Sequence, residues 1–397
     1  MKNISIEKIK DPNKFCTQKL LTKQAIESAI NDAIIIIEKN MKKFSNKDKY
    51  PSSCCKNNKY DVIDNSEWTT GFWPGMLWLA YEYTNDDKFK ELAEKDIESF
   101  KDRLDNDYAL GHHDLGFLYN LSCISAYKLT GNKEARQIAL NAADYLLGRF
   151  QEKGQFIQAW GELGAEDNYR LIIDCLLNIP LLYWATEETG DRKYYDIAYT
   201  HYKTSCDTVI REDGSTFHTF YFDKETGKPT RGVTKQGYSD DSSWARGQAW
   251  GVYGIPLTYR ATKDSSAINI YKAVTNYFIN RLPKDNVCYW DLIFNDGDDH
   301  VRDSSAAAIA VCGMHEMNKF LPEVDEDKET YKYAMHSILK SLIDNYAAKK
   351  NTDSDAILLH GVYGWHANNG VDEGNTWGDY YYLEALMRFY KDWEIYC

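Results

Sequence analysis

The run Leu171-Ile172-Ile173-Asp174-Cys175-Leu176-Leu177 places one carboxylate among large apolar side chains. Burying a lone carboxylate costs several kcal/mol unless it is paired, capped or protonated. Asp174 can meet that cost in two ways. It can cap a buried helix, accepting orphan backbone N–H groups. Or it can carry a raised pKa and hand over a proton near neutral pH. A second carboxylate, Asp114, stands in His112-His113-Asp114-Leu115-Gly116-Phe117. Two imidazoles and a glycine around it are more than a cap requires.

Other residues with chemical capacity recur in similar settings. They include Trp68 in Trp68-Thr69-Thr70-Gly71-Phe72-Trp73, and Trp160 in Gln158-Ala159-Trp160-Gly161. Arg246 and Trp250 stand in Ser243-Trp244-Ala245-Arg246-Gly247-Gln248-Ala249-Trp250. Flat aromatic rings suit the faces of sugars and equally fill cores. Arg246 and His218 offer positive charge to an anionic ligand. A metal centre at His112, His113 and Asp114 is the competing use of those side chains. Three adjacent residues rarely converge on one ion, and no HxxxH or HExxH spacing exists, so no metal is expected.

The elements that must position these groups are helices. Apolar residues at 3.6-residue spacing predict about twelve, over roughly 20–41, 72–84, 86–103, 114–130, 132–150, 174–189, 191–210, 243–261, 264–281, 304–320, 325–347 and 376–394. A turn signature recurs between members: Thr84-Asn85-Asp86, Thr130-Gly131-Asn132, Thr189-Gly190-Asp191 and, more weakly, Thr262-Lys263-Asp264. Gly or Asn ends one helix in a left-handed cap, and Asn or Asp opens the next. Apolar and amphipathic helices alternate, which predicts an all-α ring of six hairpins, an (α/α)6 barrel. The chain is expected to be one such domain over 1–397, with an N-terminal extension of roughly 1–20. Strand-like segments at 155–162, 216–222 and 287–291 are expected to form short β-hairpins at the mouth where the inner helices begin. Asp114 and Asp174 open consecutive inner helices, whose axes lie about 8–10 Å apart. Their carboxyls can then approach as an acid/base pair, and mutual repulsion raises one pKa. Asp303, Ser304 and Thr376 read as ordinary caps.

Bulk composition limits the partners. The net charge of -13 over 397 residues argues against nucleic acid and anionic membranes. No run reaches the roughly 18 apolar residues of a membrane span. Met1-Lys2-Asn3-Ile4-Ser5-Ile6-Glu7-Lys8 is followed by no apolar segment, so no signal peptide is expected. The 9 cysteines are scattered and form no CxxC pair, which fits reduced thiols and a cytoplasmic protein. Cys175 and Cys312 should pack as small hydrophobes. Oligomeric state is not legible.

Taken in order, Trp68-Thr69-Thr70-Gly71-Phe72-Trp73-Pro74-Gly75, His113-Asp114-Leu115-Gly116-Phe117, Arg170-Leu171-Ile172-Ile173-Asp174 and 243–251 resemble the unsaturated glucuronyl hydrolases of glycoside hydrolase family 88. The likeness runs from about residue 60 to the C-terminus. It implies an (α/α)6 barrel and removal of the unsaturated uronic acid that lyases leave at the non-reducing end of glycosaminoglycan fragments. That chemistry hydrates a C4=C5 vinyl ether, so no cofactor is implied. The resemblance makes Asp174 the acid at C4 and then the base for water, with Asp114 ionised and keeping the pKa of Asp174 high. It places His113, His218, Gln236, Arg246, Trp250, Trp68 and Trp160 around the sugar, with Arg246 near the uronate carboxylate. Members that favour sulfated fragments resemble Ser-x-x-Ser-x-Lys in a C-terminal loop. Here Gly364, Ala367 and Asn369 stand at those places, which removes two hydroxyl donors and a cation. Two other functions compete. An unsaturated rhamnogalacturonyl hydrolase uses the same chemistry on pectin fragments. A non-catalytic carbohydrate-binding ring would keep the tryptophans but need no paired carboxylates.

Overall fold

The computed structural model describes residues 4–17, 19–45 and 49–396. Parts of the predicted N-terminal extension, residues 1–3 and 18, lie outside the described residues. The amphipathic outer helices are Lys23–Met41, Asp87–Asp105, Lys133–Leu147, Arg192–Val209, Ser266–Ile279 and Lys328–Ser341. Each buries one stripe. In Asp87–Asp105, Phe89, Leu92, Ala93, Ile97 and Phe100 are buried. The inner helices start at Phe72, Leu115, Cys175, Ala245, Ser304 and Thr376 and are buried nearly all round. Each inner helix packs on the next, and Thr376–Tyr390 returns to Phe72–Thr84, so the ring closes. Past that last helix, Trp393 Nε1, Lys391 Nζ and the Tyr396 hydroxyl all bond Glu82 of the first inner helix. No helix among the described residues is long and apolar enough to cross a membrane.

The turns follow the predicted chemistry. Asn85, Gly131 and Gly190 take left-handed caps at φ 54°, 74° and 74°. Asp86, Asn132 and Asp191 then accept backbone N–H bonds at the next helix start. The weaker copy puts Lys263 in the left-handed conformation instead. Close helix contact is made at glycine. A Cβ on Gly116 would lie 2.4 Å from Asn178 Cα, and one on Gly254 would lie 2.3 Å from Leu176 Cβ. These glycines draw the second and fourth inner helices onto the third.

Two inner helices are interrupted. The second carries a π turn at Asn120–Ile124 between α-helical parts. The third breaks at Ile179, because Pro180 offers no N–H to continue the ladder. At the mouth, Phe156–Ile157 pairs with Phe150–Gln151. Thr219–Phe222 is the central strand of a three-stranded sheet, between Pro229–Val233 and the unexpected strand Arg170–Ile172. The expected hairpin at 287–291 is not formed. That stretch makes only the isolated bridges Tyr289 to Arg302 and Asp291 to Trp244. A hairpin that was not expected, Gly361–Gly364 with Asn369–Glu373, stands over the mouth. The described cysteines are free thiols, and Cys175 and Cys312 are buried.

Candidate active site

Asp114 and Asp174 occupy cap positions of their helices, yet neither side chain caps. Asp303 and Asn375, at the starts of the fifth and sixth inner helices, do cap with their side chains. The first two carboxylates are therefore free for other contacts. They meet at His113, whose Nε2 lies 3.2 Å from Asp174 Oδ1 and 3.4 Å from Asp114 Oδ1. Atoms of all three groups lie within 4.8 Å of one another. The adjacency of 113 and 114 therefore does not prevent their convergence, contrary to the spacing argument against a metal. The Gly116–Asn178 contact makes this approach possible. Asn178 Nδ2 donates to Asp114 Oδ1 at 3.3 Å and to the Asp174 carbonyl at 3.1 Å, while its Oδ1 accepts from Phe117 N.

The charges divide unequally. Burial, aided by the charge of Asp174, raises Asp114 to about 7 against the attraction of His113. Burial also pushes Asp174 up, but the His113 imidazole beside it outweighs that and holds its carboxyl below the usual range. Burial presses the His113 imidazole down, and the two carboxylates outweigh that and raise it. Sequence reasoning put the raised pKa on Asp174; burial raises Asp114 instead. Burial acts on both, and the physical reason is the partner: His113 stands closer to Asp174 than to Asp114. Asp114 is 2 % exposed, while Asp174 is 19 % exposed and turned to the cavity, where His218 also faces it.

That cavity has a volume of about 420 Å³. It is lined by eight of the nine predicted site residues: Asp114, Asp174, Trp68, Trp160, His218, Gln236, Arg246 and Trp250. His113, fully buried, lies behind the carboxylates. Trp160 is 37 % exposed and stacks on His112 with ring centroids 4.6 Å apart. His112 Nδ1 accepts from Asp114 N at 3.1 Å, so it serves the wall and is not a counter-ion. Trp68 Nε1 donates to the Tyr363 hydroxyl, and Trp250 packs on Phe117 and Tyr381 at the floor.

Arg246 lines the cavity, with its guanidinium engaged by protein acceptors. Its Nη1 donates to Asp303 Oδ2 at 2.9 Å and to the Val362 carbonyl. Its Nη2 donates to Gln236 Oε1 at 3.0 Å and to the Tyr363 carbonyl at 2.9 Å. All four terminal N–H donors are spent holding protein groups together. Gln236 Nε2 in turn donates to His218 Nε2, and His218 Nδ1 donates to Thr219 Oγ1. Burial pushes His218 down to about 4, so it stays neutral near pH 7. Neither Arg246 nor His218 supplies free positive charge. Arg170 does. It lines the cavity, donates from Nη1 to the Tyr221 hydroxyl at 2.9 Å, and leaves a buried Nε without a hydrogen bond.

The sequence profile of Glycosyl Hydrolase Family 88 matches residues 36–388. The chain belongs to that family. It is 61% identical over 396 residues to the unsaturated chondroitin disaccharide hydrolase of Streptococcus pneumoniae, covering 100% of both chains. Its fold superposes on the crystal structure of unsaturated glucuronyl hydrolase from Streptococcus agalactiae with TM-score 0.98, 58% identity and 100% of each chain covered. An aspartate-to-asparagine variant of the latter, complexed with dGlcA-GalNAc6S, gives TM-score 0.90 at 54% identity, covering 100% of this chain and 99% of that one. The (α/α)6 barrel is thus that of the glycoside hydrolase family. Sequence reasoning missed five lining residues in this family member: Glu67, Arg170, Ile172, Trp244 and Tyr363. Arg170, Ile172 and Trp244 stood inside the motifs already singled out. Tyr363 carried no signal, because it reaches the cavity on the unexpected hairpin.

Proposed function

We propose that the chain removes the unsaturated glucuronic acid from the non-reducing end of lyase-generated glycosaminoglycan disaccharides, by hydrating the C4=C5 double bond. One observation carries this reading: a free, cavity-facing carboxylate, Asp174, coupled through His113 to a second carboxylate that holds a proton near pH 7. The curated relatives named for unsaturated chondroitin disaccharides support the substrate class.

The uronate enters with its ring against Trp68, Trp160 and Trp250, and its carboxylate meets Arg170. Its negative charge beside Asp174 raises that carboxyl, so the proton held on Asp114 becomes available on Asp174. Asp174 protonates C4. Positive charge spreads over C5 and the ring oxygen, and the now-ionised Asp114 stabilises it. Asp174, deprotonated by that transfer, accepts a proton from the water that attacks C5. The hemiketal at C5 then opens and releases the remaining sugar. Arg246 positions Gln236, and Gln236 positions His218 at the cavity wall. The test is loss of the ultraviolet absorbance of the conjugated double bond during incubation with unsaturated chondroitin, hyaluronan and heparin disaccharides. No decrease with any of them would overturn the proposal.

A further inference from the structure

The convergence of His113, Asp114 and Asp174 has a second chemical capacity. His113 Nε2 lies 3.2 Å from Asp174 Oδ1 and 3.4 Å from Asp114 Oδ1, yet it makes no hydrogen bond to either. Asp174 Oδ1 is likewise buried without a hydrogen bond, and the His113 ring is fully buried. Buried polar atoms left beside one another without bonding are costly unless something stands between them. A tetrahedral zinc ion, with bonds to nitrogen and oxygen of about 2.0–2.2 Å, sets neighbouring ligand atoms about 3.3–3.5 Å apart. The two distances at Nε2 match those edges. The third, between the carboxylate oxygens, is no more than 4.8 Å, and the part-exposed Asp174 carboxyl can turn to close it.

One neutral imidazole and two carboxylates supply three ligands whose charge a divalent cation neutralises. Asn178 Nδ2, 3.3 Å from Asp114 Oδ1, fixes that carboxylate from behind, as an outer-shell partner of a metal ligand does. Asp114 and Asp174 line the 420 Å³ cavity, which gives an ion a path in and turns its fourth position toward the cavity. The donor set selects among metals. Magnesium and calcium take about six to eight ligands, nearly all oxygen. Three ligands that include an imidazole suit zinc. Proton transfer to C4 and addition of water need no ion, so an ion here opposes the reaction. It occupies the Asp174 oxygen that must carry the proton. We propose that His113, Asp114 and Asp174 form a zinc site, and that zinc bound there shuts off turnover reversibly. The site stands on this geometry; the inhibition rests on the activity proposed above.

The experiment titrates metal-free wild type with zinc chloride in a calorimeter, beside His113→Gln, Asp114→Asn and His360→Asn. His360, part-exposed and 2.8 Å from Asp372, is the competing surface site. The expected result is one ion per chain in wild type and in His360→Asn, with affinity lower by about tenfold or more in the other two. Cobalt(II) in place of zinc should give the visible spectrum of a four-coordinate nitrogen and oxygen site with no thiolate charge-transfer band. That reading is made on wild type and needs no variant to fold. Magnesium and calcium should not bind. On an unsaturated chondroitin disaccharide, saturating zinc should cut turnover by at least roughly 10²-fold, as loss of the acid/base group does, and EDTA should restore it. No binding, unchanged affinity in His113→Gln and Asp114→Asn, loss of binding in His360→Asn, or a thiolate band would overturn the site. Binding with turnover untouched would overturn the inhibition. A wild type inert toward the disaccharide would remove the activity reading and the inhibition with it, while the calorimetry still decides the site.

Discussion

His113 and Asp174 face each other across the boundary between two inner helices, with Nε2 3.2 Å from Oδ1. The same nitrogen reaches Asp114. Two carboxylates and one imidazole thus share protons as a unit, and each change at one of them is felt by the others.

Asp174→Asn should abolish turnover with the fold intact, because a carboxamide can neither protonate C4 nor accept a proton from water. Loss of one general acid/base commonly costs roughly 10²–10⁴-fold, and a group used in both steps belongs at or above that range. The measurement is kcat on an unsaturated chondroitin disaccharide, with circular dichroism as the folding control. Retention of more than about a tenth of wild-type kcat would contradict the assignment.

Asp114 makes stability depend on pH in a defined direction. Its folded value is about 7, against an ordinary 3.8. Between those values the folded chain keeps a proton that the unfolded chain has released. The contribution is therefore complete below 3.8 and is lost as pH rises through 7. Asp174, shifted downward, acts only below that window. Thermal unfolding of wild type and Asp114→Asn from pH 4 to 8 should show wild type losing ground to the variant as pH rises. Parallel curves would refute the shift. In activity, kcat/KM of wild type should fall above about pH 7, where the pair loses its shared proton, and Asp114→Asn should move that limb to lower pH.

Arg246→Met should destabilise the protein by about 3–5 kcal/mol, since it leaves the fully buried Asp303 without its counter-ion. KM should rise as well, because Gln236 and the Gly361–Gly364 strand lose the guanidinium that holds them. Denaturant unfolding gives the first quantity and steady-state kinetics the second. A variant of unchanged stability would show that this clamp contributes nothing net.

Gly364→Ser, Ala367→Ser and Asn369→Lys together should raise the preference for a 6-sulfated over an unsulfated disaccharide by about tenfold, given roughly 1.5–3 kcal/mol for one regained charge-assisted bond. The turn can take the change: a Cβ on Gly364 meets nothing within 4 Å, and Ala367 and Asn369 are exposed. The ratio of kcat/KM values on the two substrates decides it. An unchanged ratio would show that this turn does not read sulfate.

The helices and the pairing of Asp114 with Asp174 were legible because helical periodicity is local and the turn signals between helices are strong. What escaped depends on partners far away in the chain. Arg170–Ile172 precedes the expected helix 174–189 without a strand signal of its own, and only Thr219–Phe222, some fifty residues later, makes it a strand. The positive charge assigned to Arg246 was correct by residue type and wrong by availability, since its acceptors Asp303, Val362 and Tyr363 come from two later elements. The raised pKa falls on the other aspartate because His113 sits closer to Asp174, a distance that sequence does not report. Asn178, which anchors Asp114, lay one turn past Asp174 and was passed over as an ordinary helical residue.

Glu82 fastens the last residues of the chain to the first inner helix, and this makes the barrel a hoop with a clasp. An open stack of repeats unzips from its ends, and its units melt separately. A hoop offers no such end. Opening the clasp would loosen the segment past the sixth inner helix at the seam where that helix packs on the first. Unfolding should therefore be all-or-none across the hairpins, and resistance to proteases should hinge on the carboxylate of Glu82, at a distance from the residues that touch the sugar.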